Sequence, residues 1–154
     1  LTCHIELFVQ THYAKSIAPR EELCPLFKDV FKFHWMDESR HVVLDELEWK
    51  AEHEKLSPAE CDQAVNDLIA LVAAVDAILQ AQSASDADYF TRNVSRSFSL
   101  DQAAQIKTCV LGAYRWQYII SGVQHPHFVR LLTHMTTPAQ MARIQSALAP
   151  IFSH

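Results

Sequence analysis

Four side chains have the types and the spacing to hold a cation: Glu6, and three members of the run His34-Trp-Met-Asp-Glu38-Ser-Arg-His41. On a helix of 3.6 residues per turn, positions three and four apart share a face, so His34, Glu38 and His41 form one polar seam. Asp45 extends the seam by a turn, where it could accept the second ring N–H of His41 and fix its tautomer; Phe27 and Phe31 continue the line upstream. Val30, Phe33, Trp35, Val42, Leu44, Leu47 and Trp49 spread apolar surface over much of the remaining cylinder, a pattern that predicts an interior helix and a buried seam. Burying two imidazoles and a carboxylate is costly unless internal hydrogen bonds or a metal ion pair them. Glu6 sits among apolar neighbours in the preceding helix, with Gln10, Tyr13 and Ile17 along its own face, and is a further group in need of a partner. The chemistry of such a set is metal chemistry, and the competing reading is a buried hydrogen-bonded network joining two helices.

The elements that must position these residues are all helical in the pattern of the chain. Residues 1–17 show helical spacing with Ile5, Phe8 and Val9 on one side, ended by Pro19. Pro25 opens a second helix running to about Lys55, roughly 45 Å at 1.5 Å per residue, with the seam in its middle. Ser57-Pro-Ala-Glu60 is a capping box for a third helix to about residue 82. Residues 83–99 are polar and rich in Ser and Asp and read as an ordered loop or short helix anchored by Tyr89 and Phe90. Ser99-Leu-Asp-Gln102 is a second capping box, opening a helix to about Ser121 that Gly122 can stop in a left-handed conformation. His125-Pro126 restarts a short helix through Met135, with His125 and His127 expected to cap; Thr137-Pro-Ala-Gln140 opens a last helix to about Leu148. Asp76 interrupts the most apolar helix; it could be a further ligand or a substrate-facing acid, and the favoured expectation is a structural partnership with a core arginine such as Arg115.

Composition narrows the function classes. The chain has 154 residues, 49% of them apolar, with two Gly and six Pro, which suits one all-α domain with short connections. A net charge of −5 with no basic run argues against nucleic acid. Leu68 to Leu79, the most apolar stretch, is shorter than the roughly 20 residues of a membrane span and contains Asp76. No charged segment precedes an apolar run at the start, and Cys3, Cys24, Cys61 and Cys109 form no Cys-x-x-Cys pair; they read as buried reduced thiols in a cytoplasmic protein. Two glycines cannot build a phosphate-cradling loop, and neither a Gly-x-Ser-x-Gly elbow nor a His-Glu-x-x-His helix is present.

A Glu helix followed by His34-x-x-Asp-Glu38-x-x-His41 resembles the second half of the bundle in the aminobenzoate N-oxygenase family of ferritin-like diiron oxygenases. The resemblance covers residues 1–45, with Asp37 matching the acid that often precedes the ligand Glu; the remainder is similar in helical character and length. It implies a ferritin-like bundle of five to six helices in which Glu6, His34, Glu38 and His41 ligate metal, Asp45 supports them, and Tyr13, Phe27, Phe31 and Trp35 wall a substrate pocket. Residues 1–56 would then be the metal-ligand helix pair and 57–154 a helical tail. The family also carries an earlier Glu helix and a Glu-x-x-His helix, neither of which this chain contains.

Three arrangements would supply what is missing. The chain is the C-terminal part of a longer protein, as its uncapped first helix and lack of an initial Met suggest; or two copies pair as a homodimer about a twofold axis; or one chain holds a single metal. The leading functional expectation is a diiron oxygenase or oxidase that uses O2 to oxidise a small, aromatic-amine-like substrate, with two irons and with zinc or manganese as other candidate metals. The alternatives are a non-catalytic binding or assembly module whose seam is structural, and a mononuclear metal hydrolase.

Overall fold

The computed structural model describes residues 2–153. Leu1, on which the expectation of an uncapped start in part falls, lies outside the described residues, as does His154. Every regular element among the described residues is helical. α1 spans Thr2–His12 and widens into a π-helical turn at Tyr13–Ile17; α2 spans Pro25–His53; α3 spans Pro58–Asn93. α4 spans Leu100–Arg115 and continues through a π-helical turn, Trp116–Ile120, into a final turn at Ser121–Val123; α5 spans Pro126–Met135 and α6 spans Pro138–Phe152.

The three capping boxes are all formed: Ser57, Ser99 and Thr137 accept from the backbone N–H three residues on, while Glu60, Gln102 and Gln140 bond back. His125 caps α5 by accepting from the His127 N–H at 3.2 Å. α2 lacks a side-chain cap and starts instead on Pro25, whose fixed φ suits the first turn and whose missing N–H is one the helix end would leave orphaned.

Four expectations are corrected. α3 does not stop near residue 82 but runs on to Asn93, so most of the expected polar loop is helix. No Gly or Pro interrupts this segment. Ser83 and Ala87 are small enough to be buried in it, with the Ser83 hydroxyl bonding back to the Gln80 carbonyl. α6 continues to Phe152 through Pro150. Gly122 has no left-handed backbone. Its role is contact: a Cβ there would lie 2.6 Å from the His4 ring and 2.9 Å from the His4 carbonyl oxygen, so the end of α4 can approach α1 only with glycine at this position. Of the four free cysteines, Cys3 is buried, Cys61 is intermediate, and Cys24 and Cys109 are exposed.

Two apolar clusters make the core. Cys3, Leu7, Val42, Phe128, Leu131 and Met135 bring α1, α2 and α5 together. Val65, Leu79, Ile119, Ile144, Leu148 and Ile151 join α3, α4 and α6. Between helices the polar ties are specific. Asp76 takes a two-pronged bond from Arg115 (2.6 and 2.8 Å, both side chains buried), which establishes the expected structural role of this acid. Tyr114 donates to Asp86 at 2.5 Å, Arg143 of α6 pairs with Asp62 of α3 at 2.7 Å, and His127 of α5 meets Glu46 of α2 at 2.6 Å. The buried His4 ring contacts the Ile119 carbonyl at 2.9 Å, tying α1 to the end of α4.

By length and composition α3 could cross a membrane, a property it shares with core helices. One of its faces packs on α4 and α6, while Leu71 and Ile78 stay exposed.

Candidate metal centre

α1 and α2 run antiparallel, as their contacts show: Cys3 and Val42 share one core cluster, Gln10 meets Trp35 and Ser39, and His12 meets Phe31. A polar clamp sets the register. Gln10 donates to the Trp35 carbonyl at 2.9 Å, and the Ser39 hydroxyl lies 3.2 Å from the Gln10 amide oxygen and 2.8 Å from the same carbonyl. Tyr13 stacks on Trp35 at 5.2 Å between ring centroids, one turn further on. With this register fixed, Glu6 of α1 comes level with Glu38 of α2.

There three of the four expected ligands converge, and His34 reaches only Glu38. Glu6, Glu38 and His41 each offer one ligand atom within 4.8 Å of the others. His41 Nδ1 lies 2.5 Å from Glu38 Oε2, and His34 Nδ1 lies 3.1 Å from the other Glu38 oxygen. The i, i+4, i+7 spacing thus does what helix geometry requires: two imidazoles straddle one carboxylate.

The electrostatics are those of a crowded acid pair. Glu6 is pushed up to about 7, first by burial, then by the hydrogen bond it shares with Glu38 and by the Glu38 and Asp45 charges, with His41 opposing. Burial also pushes Glu38 upward, but the hydrogen bonds from Glu6 and His41 and the charges of both histidines outweigh it and hold Glu38 below its ordinary range. The bond to Glu38 raises His41 against desolvation, helped by the charges of Glu38, Asp37 and Glu6. A divalent cation would relieve this crowding by charge. Two carboxylates and imidazole nitrogens form a hard-to-borderline donor set that fits Fe(II), Mn(II) or Zn(II).

The seam departs from expectation in its exposure. Glu38 is well covered (14% of its side chain accessible), but the His34 and His41 side chains are 49% and 48% accessible, so the row opens to the surface. The reason lies on α2 itself. Helical periodicity alone says which residues share a face, and the apolar residues beside the seam have no neighbour here: Val30, Phe33, Leu44 and Leu47 are all exposed. Asp45 is a second correction. Among the described residues no hydrogen bond joins it to either ring nitrogen of His41, whose Nδ1 is on Glu38, and the Asp45 Oδ2 atom is buried without a hydrogen-bond partner. A third carboxylate beside Glu6, with an oxygen left unpaired, adds to the negative potential that a cation would relieve.

The four aromatic residues expected to wall a pocket form a ladder along α1 and α2: Phe27 on Phe31 at 4.7 Å, Phe31 against His12, and Tyr13 on Trp35. Trp35 lines a cleft of about 460 Å³ with Gln10, Trp116 and His125, among others. A larger apolar cavity, about 550 Å³, lies between the two core clusters and is reached from α1 by His4, Ile5 and Phe8. Those positions fall on the side of the helix away from Glu6, so α1 stands between this cavity and the seam. No sequence signal marked it, because it arises from how α1, α3, α4, α5 and α6 fail to close on one another.

Comparison with protein-family models, with curated proteins and with solved structures finds no match to this chain.

Proposed function

We propose that the α1–α2 pair is a carboxylate–histidine metal site serving an O2-dependent oxidation, with iron as its metal and a small, apolar or aromatic amine as substrate. The observation that carries the reading is the convergence of Glu6 with Glu38 and His41 across two helices, with His34 on the free oxygen of Glu38. Glu6, Glu38 and His41 would hold the ion, and His34 stands beside them as a further ligand. A redox-active ion held there supplies the electrons for reducing O2, which side chains alone cannot do. The chain's own groups do the rest. The Gln10–Ser39–Trp35 clamp fixes the distance between the two glutamates, Asp45 adds negative charge that favours the cation, and the Glu6 carboxyl, pushed up to about 7 without metal, would give up the proton it holds when a cation takes its place.

Anaerobic titration with Fe(II), followed by measured iron content and by the optical spectrum before and after O2, tests this reading. Bound iron and a spectrum that changes on O2 exposure are expected; a chain that takes up no iron refutes it. A second reading, a mononuclear zinc hydrolase, draws on one observation: a single chain brings together three ligand atoms and leaves their outer side accessible, as catalytic zinc sites do. One zinc per chain with no response to O2 would favour it.

A further inference from the structure

We propose that the apolar cavity on the far side of α1 from the seam binds an uncharged amphiphilic small molecule, a hydrocarbon body carrying one hydroxyl, ester or amide head. The inference goes beyond the metal reading and does not depend on it. Protein interiors close to the density of organic crystals and leave few voids larger than a water molecule. A space of about 550 Å³ is more than imperfect packing. It falls within the roughly 300–1,000 Å³ of pockets that take drug-sized ligands. Water is a poor occupant, because an apolar cavity stays dry. The inner wall is drawn from both core clusters: Phe128 from one, Leu79, Ile119, Ile144 and Leu148 from the other, with Leu132 packed against both.

The polar content of the site selects the head of the ligand. Among the described residues, none that lines the cavity is Asp, Glu, Lys or Arg. Gln124, Thr133 and Gln145 line it and are exposed, which places amide and hydroxyl groups at its rim. The rest of the rim is an apolar collar: Ile5, Tyr118, Val129 and Phe152 also line the cavity and are 36%, 43%, 46% and 41% accessible. A ligand entering there buries its body among aliphatic side chains and exchanges the water on its head for neutral hydrogen-bonding partners. A charged head at the same place gives up hydration and meets no counter-charge. The wall facing α1 is held by specific contacts. The π-helical turn Trp116–Ile120, a rare conformation that recurs at functional sites, supplies Tyr118 and Ile119 to the lining. The Ile119 carbonyl accepts from His4 Nε2 at 2.9 Å, and Gly122 lets the end of α4 come against the His4 ring. These two ties set how far apart α1 and α4 stand at the cavity.

The test titrates the full chain with N-phenylnaphthylamine, an uncharged dye that brightens in apolar surroundings. The bound dye is then displaced with decanol, decanoate and decyltrimethylammonium, which share one hydrocarbon chain and differ in the head. Saturable binding of about one dye per chain is expected, with decanol displacing it at least roughly tenfold better than either charged analogue. No saturable binding, or a charged analogue that competes as well as decanol, overturns the proposal. Variants locate the site: Val72→Phe fills the interior, and Val129→Trp, on an exposed residue, narrows the mouth without entering the core. Each should weaken dye binding roughly tenfold or more while unfolding as cooperatively as the unmodified chain. Should Val72→Phe fail to fold, Val129→Trp decides alone, and a folded Val129→Trp that binds dye as tightly as the unmodified chain overturns the assignment to this cavity. Glu38→Ala, which alters the seam across α1, should leave dye binding unchanged; its loss there would put the dye at the seam and overturn the proposal. A chain that binds dye but no metal fails the metal reading alone.

Discussion

Removing the Glu38 carboxylate separates a ligand from a structural ion pair, and the geometry fixes what each would cost. A buried pair broken on one side costs about 3–5 kcal/mol, because the other charge is left without compensation. Here the partners of Glu38 are two imidazoles that are each about half accessible, so water takes over their solvation when the carboxylate goes. Its loss also relieves the repulsion with Glu6. Glu38→Ala should therefore change the stability of the metal-free protein by no more than about 1 kcal/mol. The effect on metal is of another order. At a free metal concentration about 100 times its dissociation constant, binding stabilises the fold by about 2.7 kcal/mol. For a chain of this size that raises the melting temperature by roughly 5–10 °C. Thermal melts of the unmodified protein and of Glu38→Ala, with and without Fe(II) or Zn(II), read both quantities. The unmodified protein should gain that shift and the variant should gain none while melting normally without metal. A variant that keeps its metal shift refutes the ligand role, and one that loses several kcal/mol without metal refutes the argument from exposure.

Elsewhere the fold offers sharper costs. Asp76→Ala strands the buried Arg115 guanidinium and should lower stability by about 3–5 kcal/mol in urea melts, with Asp76→Leu/Arg115→Met recovering much of it. Gly122→Ala places a methyl 2.6 Å from the His4 ring and 2.9 Å from its backbone oxygen, and should destabilise by about 1–3 kcal/mol, visible as a lower urea midpoint. Burial lowers the pKa of His4 against the raising effect of its bond to the Ile119 carbonyl. The unfolded chain therefore takes up a proton at higher pH than the folded one, and this contribution to stability, full above about pH 6.5, falls as the pH drops below it. The difference in urea midpoint between pH 7.5 and pH 5.5 should be smaller in His4→Gln than in the unmodified protein; an equal difference would show that His4 is not the group concerned.

The sequence by itself determined what is local. Helix starts were written in three capping boxes and two prolines, Pro25 and Pro126, because caps act through residues three or four apart. The i, i+4, i+7 seam on α2 was legible for the same reason, since helix geometry alone places His34, Glu38 and His41 together. The partnership of Asp76 with Arg115 could be guessed because a buried acid in an apolar helix has few ways to be satisfied.

What the tertiary structure decided is everything that depends on which neighbour a helix face meets. An apolar face on α2 is written identically whether it is covered or bare, so the sequence could not show that His34 and His41 stand half accessible beside Val30 and Phe33. Gly122 carried a stop signal in its type, but its use is set by the distance to His4, a residue far away in the chain. The extension of α3 past residue 82 turned on burial of the small Ser83 and Ala87, which no local pattern announces. Most of all, the meeting of Glu6 with Glu38 required the Gln10–Ser39–Trp35 clamp to fix one register of α1 on α2. Periodicity says which side chains share a face, and only packing says what that face confronts.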